Sequence, residues 1–415
     1  MKGVFVIIDG LADRPCRQLH NRTPLEIANK PNLDYMAARG KQGFMYPVHE
    51  DFIPSTNESV VEIFGQKWQD YPRGWLEALG AGVKLVKGDL AFRVNFATID
   101  NLKDKNVIDR RAGRTLTTKE AKILSKEINK IFVPRKFIFQ PTIQHRGVLV
   151  FRGGFSDNIT EMDPAHHPNN KSETGKFRFS VPEDDDENSE YTANLVNNFI
   201  ENTFEVLDKH PVNEKRRKKG FYPANILLLR SPGIYIKKID KFRRWACATP
   251  VPVMEGICKV LGINLFEFSE IDLKDNDAYK NFKKNIKLEI KKSIHLIKKK
   301  KDLFDYVLVY IKETDVAGHD NKPQEKVDMI ELIDKNLFSF LKKFSEKNKI
   351  KIAVTADHST PCNLKMHSSD PVPLLLFDPE KKEIDETIVF NENQAKKGSL
   401  GKIKGSGVMK KIGFT

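Results

Sequence analysis

Continuous apolar runs of strand length lie at both ends of the chain. One run, "GVFVIID", begins at residue 3, and three others, "FDYVLVYI", "KIKIAVTAD" and "PVPLLLF", lie after residue 300. Such runs fit strands that are buried on both faces, and the amphipathic segment "QEKVDMIELIDKNLFSFLKKF" separates two of them. This alternation predicts an α/β fold with a mostly parallel sheet and helices on both faces.

The middle of the chain has a different pattern. Two segments, "GDLAFRVNFATID" and "HRGVLVFRG", alternate like half-exposed strands, and "TTKEAKILSKEINKIF" between them has helical spacing. The acidic "PEDDDENSE" and the basic "NEKRRKKG" are typical of solvated loops. We therefore predict a discontinuous first domain, residues 1–84 and 236–415, and a smaller inserted α+β domain, residues 85–235.

Composition and charge narrow the class of protein. The longest apolar runs are too short to span a membrane, and four scattered cysteines without CxxC spacing favour a cytoplasmic location. The net charge of +14 fits either a nucleic-acid-binding face or an enzyme for small anionic substrates. The densest lysine run reads as an amphipathic surface helix, and no RNP, helix-turn-helix or zinc-finger pattern occurs, so nucleic acid is the weaker alternative. The oligomeric state is left open by the sequence.

Aspartate and histidine side chains cluster in sequence near the ends of the predicted strands. These residues are Asp9, Asp315, His319, Asp357, His358 and His367. Ligands of open α/β sheets bind at the carboxyl ends of the strands, so we expect these side chains to share one edge. Mixed carboxylate and imidazole ligands suit Mn²⁺ first, with Zn²⁺ or Mg²⁺ as alternatives. Their number indicates a two-metal cluster.

A turn rich in hydroxyl groups, "PSTNES", precedes a predicted helix in the N-terminal region. Serine and threonine in such a turn often serve only as helix caps. A metal cluster that transfers phosphoryl groups, however, needs a nearby hydroxyl as nucleophile. The N–H groups of a helix N-terminus also stabilise an anionic phosphoryl group. The distant metal-ligand pattern therefore favours the nucleophile over the simple cap.

Motifs over nearly the whole chain resemble those of the archaeal-type cofactor-independent phosphoglycerate mutases of the alkaline phosphatase superfamily. They include "RGWLEALGAGV", "GDLAFRVNFAT", "DRRAGR", "HRGVLVFRG", "TDVAGHD", "TADHSTPC" and "HSSDPVP". The resemblance implies interconversion of 3-phosphoglycerate and 2-phosphoglycerate through a phosphoenzyme, without 2,3-bisphosphoglycerate. It implies one metal held by Asp9, Thr56, Asp357 and His358, and another held by Asp315, His319 and His367. It also implies that the inserted domain closes over the substrate and excludes water.

The position of the nucleophile follows from the same resemblance. In the family, the hydroxyl lies in a P-x-S-D pattern before an apolar helix that ends in Leu/Phe-Gly. Aligning Pro54 and Phe64–Gly65 with this pattern places Thr56 at the nucleophile and Asn57 at the acid that follows it. We expect Thr56 to be the N-cap of a helix that starts near Asn57. Ser55 is the rival nucleophile, because it lies only one residue away.

A phosphoglycerate carries two anionic groups, for which bidentate arginines are suitable partners. The predicted substrate-binding residues are Asn57, Asp109, Arg110, Arg111, Arg114, Arg146 and Arg152, with weaker candidates in Arg93 and Arg230. The substrate would then be a small anionic phosphate ester.

The chain departs from the family pattern near the nucleophile. Threonine replaces the usual serine, asparagine replaces the acid, and "GQKWQDYPRG" stands where the family has Gly-Tyr-Asp-Pro. A Gly-Ala-Thr-Gly turn is replaced by "SEIDLKDND". These changes spare the metal ligands. They leave a metal-dependent phosphatase or phosphotransferase for another small phosphate ester as an alternative, and a catalytically inactive nucleic-acid-associated protein as a weaker one.

Overall fold

The computed structural model describes residues 1–164, 175–269, 278–381 and 385–414. Its contacts divide the chain into unit 1, Met1–Asp70, Lys238–Val251 and Ile257–Thr415, and unit 2, Tyr71–Lys237 and Pro252–Gly256. Unit 2 thus begins before the predicted boundary at residue 85, because the helix Arg73–Gly80 packs on the strand Leu90–Ile99. The closing movement of the insert stays a prediction. The replaced turn "SEIDLKDND" falls almost entirely outside the described residues.

The strands and helices of the described residues are numbered in chain order. The strands are β1 (Gly3–Ile8), β2 (Lys41–Tyr46), β3 (Leu90–Ile99), β4 (Asn106–Asp109), β5 (Phe137–Pro141), β6 (Arg146–Phe151), β7 (Gly175–Lys176), β8 (Ile226–Gly233), β9 (Trp245–Cys247), β10 (Asn264–Leu265), β11 (Tyr306–Ile311), β12 (Lys351–Thr355), β13 (Val372–Phe377) and β14 (Gly401–Lys404). The helices are α1 (Pro24–Ile27), α2 (Pro31–Ala37), α3 (Thr56–Ile63), α4 (Arg73–Gly80), α5 (Thr118–Ile128), α6 (Glu187–Asp208), α7 (Pro211–Lys218), α8 (Pro252–Leu261), α9 (Ala278–Lys300), α10 (Thr314–His319), α11 (Pro323–Ile333), α12 (Ser339–Asn348), α13 (Glu392–Ala395) and α14 (Val408–Ile412). A π-helical segment, Asp334–Phe338, joins α11 to α12.

Unit 1 contains an eight-stranded sheet in the order β10-β9-β11-β1-β12-β13-β2-β14. Among the described strands of this sheet, β13 alone runs against the others. Every residue of β1 and β11 is buried, and successive residues of a strand point to opposite faces, so both faces of the sheet centre are covered. Helix α9 packs on β11 and α12 on β12. The predicted mostly parallel α/β sheet is confirmed.

Unit 2 contains a separate, antiparallel sheet. Strand β3 lies at its centre and pairs with β6, β8 and β4. The prediction of half-exposed strands is wrong here, since β3 and β6 are buried along nearly their whole length. Two polar residues of β3 have partners inside unit 2: Arg93 lies 3.0 Å from the carboxylate of Glu77, and Asn95 donates to the carbonyl oxygen of Arg110 (3.3 Å).

The basic segment "NEKRRKKG" is also not the solvated loop that its composition indicates. It forms most of helix α7, and Arg216 within it is buried. The Arg216 guanidinium donates to the carbonyl oxygens of Tyr222 (2.9 Å) and Thr115 (3.1 Å) and to Glu120 Oε2 (3.2 Å). These acceptors offset the cost of burying the Arg216 charge, although a run of basic residues is typical of a solvent-exposed segment.

In the part of the chain that the structure describes, no helix combines the length and the apolar character needed to cross a membrane.

Candidate metal centre

Seven metal ligands are predicted, and the six that are Asp or His lie at one edge of the unit 1 sheet. Asp9 directly follows β1, Asp315 and His319 lie on α10 just after β11, and Asp357 and His358 follow β12. These parallel strands end at the same edge. His367 instead precedes β13, but β13 runs in the opposite direction, so the start of β13 lies at that edge too.

Asp9, Asp357 and His358 form the first ligand group. The Nε2 atom of His358 lies 3.3 Å from Asp9 Oδ1 and 3.3 Å from Asp357 Oδ2. The other oxygen of Asp357 accepts hydrogen bonds from the backbone N–H groups of Gly10 (3.1 Å) and His358 (2.9 Å). Asp9 Oδ1 is buried and has no hydrogen-bond partner among the described residues. This geometry leaves carboxylate oxygens directed at one small space.

Asp315 is the centre of the second ligand group. Its Oδ1 atom lies 3.4 Å from His367 Nε2, and its Oδ2 atom lies 3.4 Å from His319 Nε2. Ligand atoms of Asp315, His358 and His367 also lie within 4.8 Å of one another. The rings of His358 and His367 stack with their centroids 3.7 Å apart. The two groups therefore adjoin at His358.

The pKa values of the carboxyl groups reflect this crowding. Burial raises the pKa of Asp9 well above its ordinary value, and the carboxylates of Asp357 and Asp315 raise it further. Burial also raises the pKa of Asp357, to about 6. Burial would raise the pKa of Asp315 as well, but His319 and His367 hold it well below the ordinary value. Buried acids that repel each other in this way are stabilised by a bound cation.

The residues fit the divalent metals that the resemblance implies. Three carboxylates and three imidazoles converge, and one buried carboxylate oxygen, Asp9 Oδ1, has no hydrogen bond within the described part of the chain. Oxygen and nitrogen donors in this proportion suit Mn²⁺ or Zn²⁺. Which residue binds which ion stays a prediction.

The hydroxyl-rich turn differs by one residue from its predicted form. Helix α3 begins at Thr56, next to the predicted start near Asn57, but its N-cap is Ser55, so the predicted cap at Thr56 is wrong. The carboxylate of Glu58 accepts the backbone N–H of Ser55 (2.6 Å) and the Ser55 hydroxyl (3.0 Å). Asn57 Oδ1 lies 2.8 Å from the same hydroxyl and competes with Glu58 for its one hydrogen, so the Ser55 hydroxyl is engaged inside the cap.

Tyr310 joins Thr56 to the first ligand group, and sequence reasoning missed it. This fully buried residue of β11 donates a hydrogen bond to Asp357 Oδ2 (3.4 Å). Its hydroxyl also interacts with the side chains of Asp9 and Thr56. The Thr56 hydroxyl therefore lies beside the ligand group. The sequence signal for Tyr310 was a tyrosine one residue before the end of a largely apolar strand, next to the predicted ligand edge.

Replacing Tyr310 with phenylalanine should lower metal affinity and catalytic rate by about 10- to 100-fold, because the hydroxyl that orients Thr56 and Asp357 is lost. Metal titration and steady-state kinetics measure both quantities. Tyr306→Phe is the matched control, since Tyr306 lies on the same strand and its hydroxyl faces Gly413 O instead (3.5 Å). Equal losses in the two variants would contradict the assigned role of Tyr310.

Unit 2 contains a buried cluster of arginines. Arg93 and Arg230 are register partners on β3 and β8, and Arg230 lies 3.5 Å from Asp163. Arg110 donates two hydrogen bonds to Asp163, of 2.6 and 2.8 Å. Burial, together with Arg146, Arg111, Arg114 and Arg230, lowers the pKa of His145 well below its ordinary value. Buried positive charge at this density is suited to an anion.

The predicted substrate-binding residues of unit 2 are only partly brought together. Arg111, Arg114 and Arg146 surround His145, whereas Arg152 contacts Asp89 and donates to the carbonyl of Lys84 (2.8 Å).

Asp109 has a local structural role, because its Oδ1 atom accepts the backbone N–H groups of Arg111 (2.7 Å) and Gly113 (2.8 Å). Its contact with a substrate, like those of the predicted arginines, stays a prediction. The sequence did not indicate Glu77, Arg73 or His145. Arg73 and Glu77 pair within one helix, and the residues that influence Glu77 and His145 include some that are distant in the chain.

Glu77 is expected to stabilise unit 2 strongly. Its Oε1 atom lies 3.0 Å from both Arg73 Nε and Arg93 Nε. Burial alone would raise its pKa, but Arg93 and Arg73 lower it to about 2. Because this folded-state pKa lies below the unfolded value of 4.5, the stabilisation is complete above pH 4.5 and is lost as the pH falls towards 2.

Glu77→Gln should therefore lower the free energy of unfolding by about 3 kcal/mol at pH 7, and the difference should shrink below pH 4.5. Urea unfolding followed by circular dichroism at pH 7, 4.5 and 3 measures it. Glu127→Gln is the control, since half-exposed Glu127 pairs with the exposed side chain of Lys130. A difference that does not change with pH would speak against the ion pairs as its source.

Comparisons with known proteins identify the family of the chain. Residues 37–213 match the family profile described as 2,3-bisphosphoglycerate-independent phosphoglycerate mutase. The protein of that name from Thermococcus kodakarensis is 37% identical, over 98% of this chain and 95% of the relative. The one from Pyrococcus abyssi is 38% identical, over 98% and 96%.

Two solved structures are similar over nearly their whole length. A protein from Pyrococcus horikoshii is 31% identical with a TM-score of 0.77, covering 100% of this chain and 98% of that one. The cofactor-independent phosphoglycerate mutase from Thermoplasma acidophilum is 31% identical with a TM-score of 0.58, covering 99% and 98%. The fold and the site define an α/β protein with a candidate centre for divalent metals. The chain belongs to the 2,3-bisphosphoglycerate-independent phosphoglycerate mutase family.

Proposed function

We propose that this protein interconverts 3-phosphoglycerate and 2-phosphoglycerate, with Thr56 as the residue that carries the phosphoryl group between the two positions. The observation that carries the proposed chemistry is the meeting of two adjoining groups of Asp and His side chains with the turn of Thr56, where Nδ1 of His367 lies 2.8 Å from the carbonyl oxygen of Pro54 and Tyr310 interacts with Thr56. The mutase relatives, which match nearly the whole chain, support the choice of substrate. Two divalent cations, Mn²⁺ first and Zn²⁺ or Mg²⁺ as alternatives, are the proposed cofactors.

The proposed reaction has two symmetrical transfers. Thr56 Oγ1 attacks phosphorus, the bond from phosphorus to the glycerate oxygen breaks, and the proton lost by Thr56 is balanced by one taken up by glycerate. Glycerate then re-orients, its other hydroxyl attacks the phosphothreonine, and Thr56 recovers a proton. The bound metals would lower the pKa of the attacking hydroxyl and neutralise charge on the phosphoryl oxygens.

The side chains of this chain supply the positioning. Asp9, Asp357 and His358 would hold the cation beside Thr56, and Asp315, His319 and His367 would hold the other. The N-terminus of α3 directs backbone N–H groups towards the region of Thr56, where they favour an anionic phosphoryl group. The arginine cluster of unit 2 is the proposed binding site for the anionic groups of the substrate.

An enolase-coupled assay tests the substrate. The purified chain, loaded with Mn²⁺ and given 3-phosphoglycerate, should form 2-phosphoglycerate without added 2,3-bisphosphoglycerate. Release of inorganic phosphate without 2-phosphoglycerate would replace the mutase with a phosphatase. If neither 2-phosphoglycerate nor inorganic phosphate forms, and the metal-free chain binds RNA tightly and in a salt-dependent way, the non-catalytic alternative is supported.

A further inference from the structure

Two histidines of the metal centre have their protonation pattern set by backbone carbonyl groups. The Nδ1 atom of His319 lies 2.9 Å from the carbonyl oxygen of Lys365, and Nδ1 of His367 lies 2.8 Å from that of Pro54. A carbonyl oxygen can only accept a hydrogen bond, so Nδ1 carries the hydrogen in both rings. In the neutral form of each ring, the Nε2 atom, which faces Asp315, then carries the lone pair that a metal requires.

His358 differs because its Nδ1 partner is a side chain. Nδ1 lies 3.1 Å from the hydroxyl oxygen of Thr360. A hydroxyl has one hydrogen, and Thr360 donates it to Asp315 Oδ1 (2.7 Å). An ionised carboxylate has no hydrogen to give, so Thr360 can offer His358 only a lone pair. A neutral His358 must then carry its hydrogen on Nδ1, and the lone pair of the ring lies on Nε2, the atom that faces Asp9 and Asp357.

We propose that Thr360 is a positioning residue that fixes the metal-binding tautomer of His358 and, through the same hydroxyl, links the two ligand groups. The inference rests on the proposed function of the site. Of the three histidines, His358 is the one whose Nδ1 partner is a side chain, so a substitution can remove that partner. The Nδ1 partners of His319 and His367 are backbone carbonyl groups.

Packing holds the Thr360 hydroxyl in place. Thr360 is fully buried, and its backbone N–H donates to the carbonyl of Ala12 (3.1 Å). Glycines lie against it on two sides: a Cβ atom at Gly10 would approach Thr360 Oγ1 to 2.6 Å, and one at Gly318 would approach its carbonyl oxygen to 2.4 Å. The side chain therefore has little room to rotate away from Asp315 and His358.

Two substitutions separate the hydroxyl from its packing. Thr360→Val keeps the shape and removes the hydroxyl, whereas Thr360→Ser keeps the hydroxyl and removes a methyl group. We expect valine to weaken Zn²⁺ and Mn²⁺ binding by about 10- to 100-fold and serine to stay close to the unchanged protein. Titration of the metal-free chain against a competing chelator measures these affinities. Equal losses in both variants, or no loss with valine, would overturn the proposal.

Nitrogen-15 NMR of the histidine rings provides a readout that does not depend on turnover. In the unsubstituted, metal-free chain, His358 should show the Nδ1-protonated tautomer, and in Thr360→Val the two tautomers should both be present. His358 with its hydrogen on Nε2 in the unsubstituted chain would refute the proposal even if the valine variant did not fold. If the enolase-coupled assay fails while these results hold, the substrate assignment fails and the role of Thr360 stands.

Discussion

Replacing Thr56 with alanine is expected to reduce phosphoryl transfer by about 10⁴-fold or more, because the attacking oxygen is lost. Thr56 is itself a predicted ligand of the first metal, but the six Asp and His ligands stay in place, so most of the bound metal and the secondary structure should be retained. The assay is the interconversion of 3-phosphoglycerate and 2-phosphoglycerate, coupled to enolase. Incubation with labelled substrate and peptide sequencing should locate the phosphoryl group on Thr56 of the unsubstituted chain.

Two neighbouring hydroxyl groups are the controls for Thr56. Ser55→Ala should weaken the N-cap of α3 by about 1 kcal/mol while most of the activity survives, since the Ser55 hydroxyl bonds within the cap. Ser59→Ala should also retain activity, because Ser59 lies inside the helix and is fully buried. Label on Ser55 would show that the nucleophile is Ser55 and not Thr56. The lack of any phosphoenzyme would rule out the two-transfer reaction.

Removing His358 should have the second large effect. Ligand atoms of this residue belong to both ligand groups, so His358→Ala is expected to lose most of the bound metal and nearly all turnover. Asp315→Ala should behave similarly, since Asp315 faces both His319 and His367. The fold should survive, because these residues follow the strands and are not part of the apolar core. Metal analysis of the purified variants, with circular dichroism, tests both expectations.

His295→Ala is the control for the metal experiment. His295 is an exposed residue of α9, and its loss should leave metal content and activity unchanged. The same metal analysis on the unsubstituted chain identifies which of Mn²⁺, Zn²⁺ and Mg²⁺ is retained. Full activity after exhaustive chelation would show that the Asp and His cluster has no catalytic metal.

The sequence was sufficient to predict the sheet and to predict that six Asp and His residues meet at one edge of it, whereas their binding of metal stays a prediction. Both depend on regular patterns: uniformly apolar strands predict a buried parallel sheet, and residues that follow such strands meet at one edge. His367 was found through its motif, although it precedes a strand. Only the antiparallel direction of β13 explains why its position nevertheless falls at the ligand edge.

Residues whose environment depends on distant partners were not predictable in this way. Arg216 looks solvent-facing in a run of basic residues, yet its acceptors come from other parts of unit 2. Tyr310 looks like one more strand residue, yet its hydroxyl contacts carboxylates far away in the sequence. The prediction of Thr56 as the N-cap was wrong by one residue for a local reason. The carboxylate of Glu58 accepts the backbone N–H of Ser55, which makes Ser55 the cap.

The central place of β1 has a consequence for synthesis on the ribosome. Gly3 pairs with Tyr306 on one side and Lys351 on the other, so both partner strands are translated roughly 300 residues after β1. At about 5–20 residues per second, the first strand waits roughly 15–60 s for a native neighbour. The strands of the unit 2 sheet lie between Leu90 and Gly233 and are complete well before that. The segment translated first is therefore among the last to gain its partners, and a nascent chain must keep this apolar strand from aggregating in the meantime.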